Sequence, residues 1–134
     1  MNYWLVKSEP KKYSWEQFLK DGQTFWDGVR NFQARNNLKI MEENDLVLFY
    51  HSNEGKCVVG IAKVIKTAYP DPTTTDSQWV AVDIIPVKTL KKTVSLTQIK
   101  QEPLLSNISL IKQSRLSVMP IEFSHFELIV SLGS

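Results

Sequence analysis

The chain is poor in the residues that build covalent and metal-based chemistry. Among 134 residues there is one cysteine, Cys57, so an internal disulfide is excluded. Only two histidines occur, His51 and His125, too few for a Cys/His zinc cluster, and neither a structural metal nor a cofactor is implied. The five glycines are scattered at 22, 28, 55, 60 and 133 and match neither a phosphate loop nor a dinucleotide fingerprint, which disfavours nucleotide-cofactor enzymes. Long apolar runs are missing too: the longest, Leu46 to Tyr50, is far short of the ~20 residues of a membrane helix. Met1 to Val6 lacks the basic start and long apolar core of a signal peptide. The expectation is a protein without a membrane partner that stays inside the cell, cytoplasmic or, in a eukaryote, nuclear.

Charge of one sign is also scarce. Sixteen Lys and Arg against fourteen Asp and Glu leave a net charge of +2, which argues against a polycation that coats nucleic acid irrespective of sequence. The distribution is uneven: residues 1–40 carry +3, residues 41–80 carry −3 and residues 81–134 carry +2. A basic face would therefore draw on the two ends of the chain, and an uneven solvated surface is the plainer account.

An apolar content of 43% and a charged content of 22% fit an ordinary globular protein, read as a single domain over 1–134. Asn2 to Val6, aromatic and branched, reads as a first strand. Ser14 and Gln17 form a capping box for a two-turn helix carrying Trp15, Phe18 and Leu19, stopped at Asp21-Gly22. Leu46 to Tyr50 reads as a buried strand, residues 51–56 as a hairpin loop, and Cys57 to Lys66 as the returning strand with a bulge at Gly60. Cys57, in an apolar strand with no adjacent cation, reads as core. Tyr69-Pro70-Asp71-Pro72-Thr73 reads as irregular because two prolines fix φ and remove donors. Trp79 to Val87 is a further strand, and Ser95 caps a short helix before Pro103. Ile108 to Met119 is open between helix and strand. Arg115 to Met119 alternates like a strand that Pro120 ends, and Ser124 with Glu127 forms a second capping box for a last helix ending at Gly133. Strands in hairpin order imply antiparallel pairing, and a small sheet with covered edges curls into a barrel. The fold class is thus α+β, a small, mostly antiparallel β-barrel with flanking helices.

The stretch Phe25 to Asn37 is unlike a solubilising helix, which would use Glu and Lys. It holds an indole, two guanidiniums, one Gln and three Asn, and Asn forms helices poorly because its amide competes for nearby backbone groups. Trp26-Asp27-Gly28 reads as a tight turn with Gly28 at positive φ, delivering a helix that starts near Val29 to Asn31. Two readings stand: Trp26 is core and the amides are caps, or the segment recognises a ligand. A base-reading pocket needs an aromatic face, amides or hydroxyls for the base edge, and cations for flanking phosphates. Trp26, the Asn31 and Asn36 amides with Ser8 or Ser52, and Arg35 with Arg115 supply those types. His51 and Ser52 follow a buried strand directly, where barrel mouths bind ligands. As neighbours they point to opposite sides, so ligand contact is favoured over a catalytic pair.

Five ordered motifs resemble the EVE domain family of the thymocyte nuclear protein type: Tyr3-Trp4-Leu5-Val6-Lys7-Ser8-Glu9-Pro10, Trp26 to Asn36, Phe49-Tyr50-His51-Ser52, Tyr69-Pro70-Asp71-Pro72-Thr73 and Ser114-Arg115-Leu116-Ser117-Val118. The resemblance implies a PUA-like β-barrel related to the YTH readers of methylated RNA. It also implies a pocket for a modified base of DNA or RNA, 5-methylcytosine or an oxidised form, lined by Ser8, Trp26, Asn31, Arg35, Asn36, His51, Ser52 and Arg115. Phe32 stands where the family usually has Tyr, and Asn44 where it usually has Gly. The expected function is a monomeric, non-enzymatic reader. The alternatives are a small hydrolase using His51 and Asp71 as acid and base, and a peptide-binding module.

Overall fold

Strand β1 (Tyr3–Ser8) carries Trp4, Leu5 and Val6 in succession, all buried, and a strand buried on both faces belongs inside a sheet. In the computed structural model, which describes residues 1–134, it lies between β3 (Leu46–His51) and β6 (Val118–Ile121). The six-stranded order is completed by β2 (Thr24–Trp26), β4 (Cys57–Pro70) and β5 (Val80–Ser95), as β2-β5-β4-β3-β1-β6.

The α+β class is as expected, with two differences in topology. First, β1 runs parallel to β3, Tyr3 opposite Leu46 and Ser8 opposite His51, whereas every other pairing is antiparallel. The connection from Ser8 to Leu46 carries helices α1 (Trp15–Asp21) and α2 (Phe32–Ile40), long enough for the crossover that parallel strands require. Second, the sheet is not closed into a barrel: β2 and β6 are its two edges. Bulges bend and twist it instead: Val59 of β4 is the extra residue opposite Phe49-Tyr50 of β3, and further shifts in register fall between β4 and β5. Gly60 sits at one of them, where a Cβ would collide with the Trp15 indole.

β4 extends through Pro70, so Tyr69-Pro70 is strand, not irregular chain. Pro86 lies inside β5, a position made tolerable because β2 covers β5 only from Val82 to Ile84 and leaves its far edge unpaired beyond.

Caps behave unevenly. Ser14 accepts from the Gln17 amide nitrogen of the backbone at 3.0 Å, but the Gln17 side chain donates to Asp21 rather than closing the expected box. Ser95 and Gln98 do close one, at the start of α3 (Leu96–Gln101). A 3₁₀ turn (Pro103–Leu105) and α4 (Ser109–Lys112) lead to β6. Helix α5 (Phe123–Leu132) begins one residue earlier than its expected Ser124 cap, with Glu122 at the N-cap and no side-chain cap bond. Buried Asp45 accepts from the Trp4 indole at 2.9 Å and from the Asn2 and Glu42 backbone N–H groups, and Asn44 before it holds φ 76°. No helix is long and apolar enough to cross a membrane.

Candidate functional site

A cavity of about 480 Å³ opens at the C-terminal end of β1. Its walls are Lys7 and Ser8 of β1 with Glu9 just after it, the segment that enters α1, strand β2, the turn from Asp27 to Asn31, and Ser117 ahead of β6. Trp26 is half-buried, packs edge-on against Phe49 with ring centroids 5.5 Å apart, and lines the cavity, so one side chain serves the core and the wall together.

The turn that carries this wall is held from behind. Asp71 is 2% exposed, and its carboxylate accepts from the Gly28 N–H at 2.9 Å, Arg30 Nη1 at 3.0 Å, and both the N–H and hydroxyl of Thr73 at 2.7 and 2.6 Å. Burial pushes the Asp71 carboxyl pKa up, but the Thr73, Gly28 and Arg30 hydrogen bonds outweigh it and bring it down to about 2. Gly28 has φ 73°, the left-handed conformation that glycine adopts without strain. Arg30 also lies over the Trp79 ring at 5.6 Å, Trp79 stacks on Phe32 at 5.1 Å, and Arg35 caps Phe32 at 5.0 Å. This ladder of two cations and two rings fastens the turn and the start of α2 to the loop before β5.

Inside the cavity the polar groups divide by role. The Ser8 hydroxyl donates to the Tyr13 carbonyl and keeps its lone pairs as acceptors. Asn31 caps α2 by accepting from the Ala34 N–H at 2.9 Å, which leaves its amide NH₂ as a donor. Lys7 donates to the Ser114 carbonyl at 2.8 Å, and burial lowers its pKa. Acceptor, donor and cations within one small cavity beside an indole suit the edge and face of a heteroaromatic ring.

The sequence matches the EVE domain family over residues 2–132. The chain belongs to the EVE domain family. Mouse thymocyte nuclear protein 1 is 36% identical, over 98% of this chain and 73% of the mouse protein. A crystal structure of an Agrobacterium tumefaciens protein superposes with a TM-score of 0.98 at 44% identity, covering 100% of this chain and 94% of that one. The human THYN1 protein, solved in complex with 5-methylcytosine-containing DNA, superposes with a TM-score of 0.93 at 31% identity, over 100% and 98% of the two chains.

Of the eight residues expected at the site of this EVE domain, Ser8, Trp26 and Asn31 line the cavity together. Arg115 lies in an adjoining depression that shares Asn31, and Ser52 in another that shares Lys7. The remaining three have other partners. Arg35 donates to the Gln78 carbonyl at 3.1 Å and to Asn36 Oδ1 at 3.0 Å, on the exposed side of α2. His51 faces Ser8 in the strand register, but its Nε2 accepts from the Trp15 backbone N–H at 3.0 Å and it does not line the cavity. Burial lowers the His51 pKa, against a smaller raising effect of Glu16. Asp71, the other half of the hydrolase alternative, is fully engaged by its donors and is ionised far below neutral pH.

Lys7, Tyr13 and Arg30 line the cavity without having been singled out in the sequence. One signal for Asp71 was available: Asp followed two residues later by Thr73 is an Asx turn, in which the side chain captures the backbone N–H.

Proposed function

We propose that this EVE domain, one unit spanning residues 1–134 and acting as a monomer inside the cell, is a non-enzymatic reader of DNA that takes a 5-methylcytosine base into the cavity beside Trp26. The observation that carries the reading is the human THYN1 protein in complex with 5-methylcytosine-containing DNA, whose fold this chain shares at a TM-score of 0.93. The roles follow from chemistry. Trp26 offers the stacking face, Ser8 an acceptor and the Asn31 amide a donor for the base edge, and Lys7 and Lys12 neutralise the phosphate at the mouth. No nucleophile or free general base is required for such binding.

A methyl group in an apolar niche is rewarded by only about 1–3 kcal/mol, or about 10- to 200-fold. Flipping a base out of a duplex costs a few kcal/mol and least in single strands. Matched oligonucleotides, methylated and plain, single-stranded and duplex, titrated at fixed salt are expected to rank methylated single strand first and plain duplex last. Equal affinity for all four would overturn the reading.

A further inference from the structure

Three depressions meet at one place on the surface. The base cavity shares Lys7 with a second depression of about 250 Å³ that holds Ser52 and Lys56, and shares Asn31 with a third of about 380 Å³ that holds Gln33, Lys112 and Arg115. The second and third share Ser114, whose carbonyl is the acceptor of the Lys7 ammonium. Lys7 and Ser114 are therefore the hub of a continuous concave path with the cavity at its centre.

Charge singles this path out. The two side depressions hold Lys56, Lys112 and Arg115 and no carboxylate. With Lys7 and Lys12 of the cavity that makes five cations against Glu9 and Asp27, leaving aside Arg30, whose charge is matched by Asp71, in a chain whose total is sixteen against fourteen. Two further clefts, at Met1 to Trp4 and at Asn107 to Ser109, hold no Lys or Arg at all. Lys56 adds a backbone observation: it holds φ 43°, a left-handed conformation that a non-glycine residue keeps only when its surroundings fix it. Its carbonyl accepts from the Leu96 N–H at 2.8 Å, which ties the β3–β4 hairpin to the start of α3 and fixes the rim of the second depression.

We propose that the two side depressions are the arms of a track for the single strand on either side of the bound base. Lys56 with Ser52 receives the phosphodiester on one flank, and Lys112 with Arg115 receives it on the other, so the strand bends at Lys7 as it passes the cavity. The track rests on the reading of the cavity as a base site and adds to it which surface holds the flanking nucleotides. The polar linings suit this partner, because phosphate and sugar are contacted by Lys, Arg, Ser and amide side chains without regard to sequence.

The test uses the full chain and three probes, each with its unmethylated counterpart: 5-methyl-2′-deoxycytidine, and single-stranded oligonucleotides carrying one 5-methylcytosine with flanking nucleotides on the 5′ side only or the 3′ side only. Lys56→Gln and Lys112→Gln change exposed side chains, and melting curves verify that both variants stay folded. Each is expected to lose about 3- to 10-fold in affinity for the oligonucleotide flanked on its own side and to flatten that salt dependence by about 0.7 in log K per log salt, with nucleoside affinity unchanged. Equal losses on both oligonucleotides, or none, would overturn the track while leaving the base site intact. Side-specific losses without any preference of the unsubstituted protein for the methylated base would overturn the base reading and leave the track.

Discussion

Strand β1 ends in a cleft at each end, and the two clefts are built from opposite materials. At its C-terminal end lie Lys7, Ser8, Trp26, Arg30 and Asn31 around about 480 Å³. At its N-terminal end, Met1, Tyr3, Trp4, Ile40, Ile121 and Phe123 surround about 350 Å³, with Glu122 the only charged side chain. In the second cleft the one indole donor is already engaged, since Trp4 donates to Asp45. Most of what remains there is apolar area, whose attraction has no direction, with the Asn2 amide, the Tyr3 hydroxyl and Glu122 as its polar groups. The first cleft keeps the Ser8 lone pairs and the Asn31 NH₂ free, and a site that must reject a closely similar ligand depends on such groups being satisfied by the right one. Size alone does not separate the two; the lysines, the Ser8 hydroxyl and the Asn31 amide set around Trp26 do.

That contrast can be broken at Asp71. Asp71→Asn keeps the shape but sets an NH₂ among the Gly28, Arg30 and Thr73 donors, so it is expected to destabilise the fold by about 1–3 kcal/mol and to abolish discrimination by the Trp26 cleft. Denaturant melts paired with titrations check this, and full affinity in the variant would mean that the turn holds itself. In the unsubstituted protein the same contribution is present above the ordinary carboxyl pKa of 3.8 and is lost only as pH falls through about 2.

A smaller effect sharpens the comparison. His51 must be neutral at Nε2 to accept from the Trp15 N–H, and its pKa is lowered in the fold, so below pH 6.5 the unfolded chain binds the proton more readily. Stability is therefore expected to fall as pH drops below 6.5, with a lower hydrogen-exchange protection factor at the Trp15 amide, at the Ser8 end of β1 rather than the Tyr3 end. His51→Gln supplies a neutral acceptor and is expected to remove that dependence; an unchanged acid slope in the variant would assign it to other groups.

Much of the local chemistry was legible in the sequence, although the Ser124–Glu127 box did not form and Gln17 turned to Asp21, whereas long-range pairing was not legible. Ser14, Asn31 and Ser95 act as caps and Gly28 takes positive φ because each depends on neighbours within a few residues. The parallel pairing of β1 with β3 is invisible to hairpin logic, since it depends on what the chain does between Ser8 and Leu46. Strand β2, three residues long, is too short for a period to register, and the tight turn expected at Trp26 proved to begin from its last residue. The site divides in the same way. Trp26 and Asn31 stood out as unusual residue types, and they share the cavity with Ser8. Arg35 and Asn36 stood out equally, yet their helix turns them toward Gln78 and each other. Nothing local marks Asp71 as the anchor of Gly28, because that contact spans 43 residues.

The four tryptophan indole N–H groups give the most direct test of the central claim, because Trp26 lines one cleft and Trp4 the other. In a ¹⁵N-resolved NMR titration with 5-methyl-2′-deoxycytidine, the Trp26 indole resonance is expected to shift with the backbone signals of Ser8 and Asn31, while the Trp4 indole, bonded to Asp45, stays in place. A Trp4 shift with Trp26 unmoved would put the ligand at the apolar end of β1 and contradict the account.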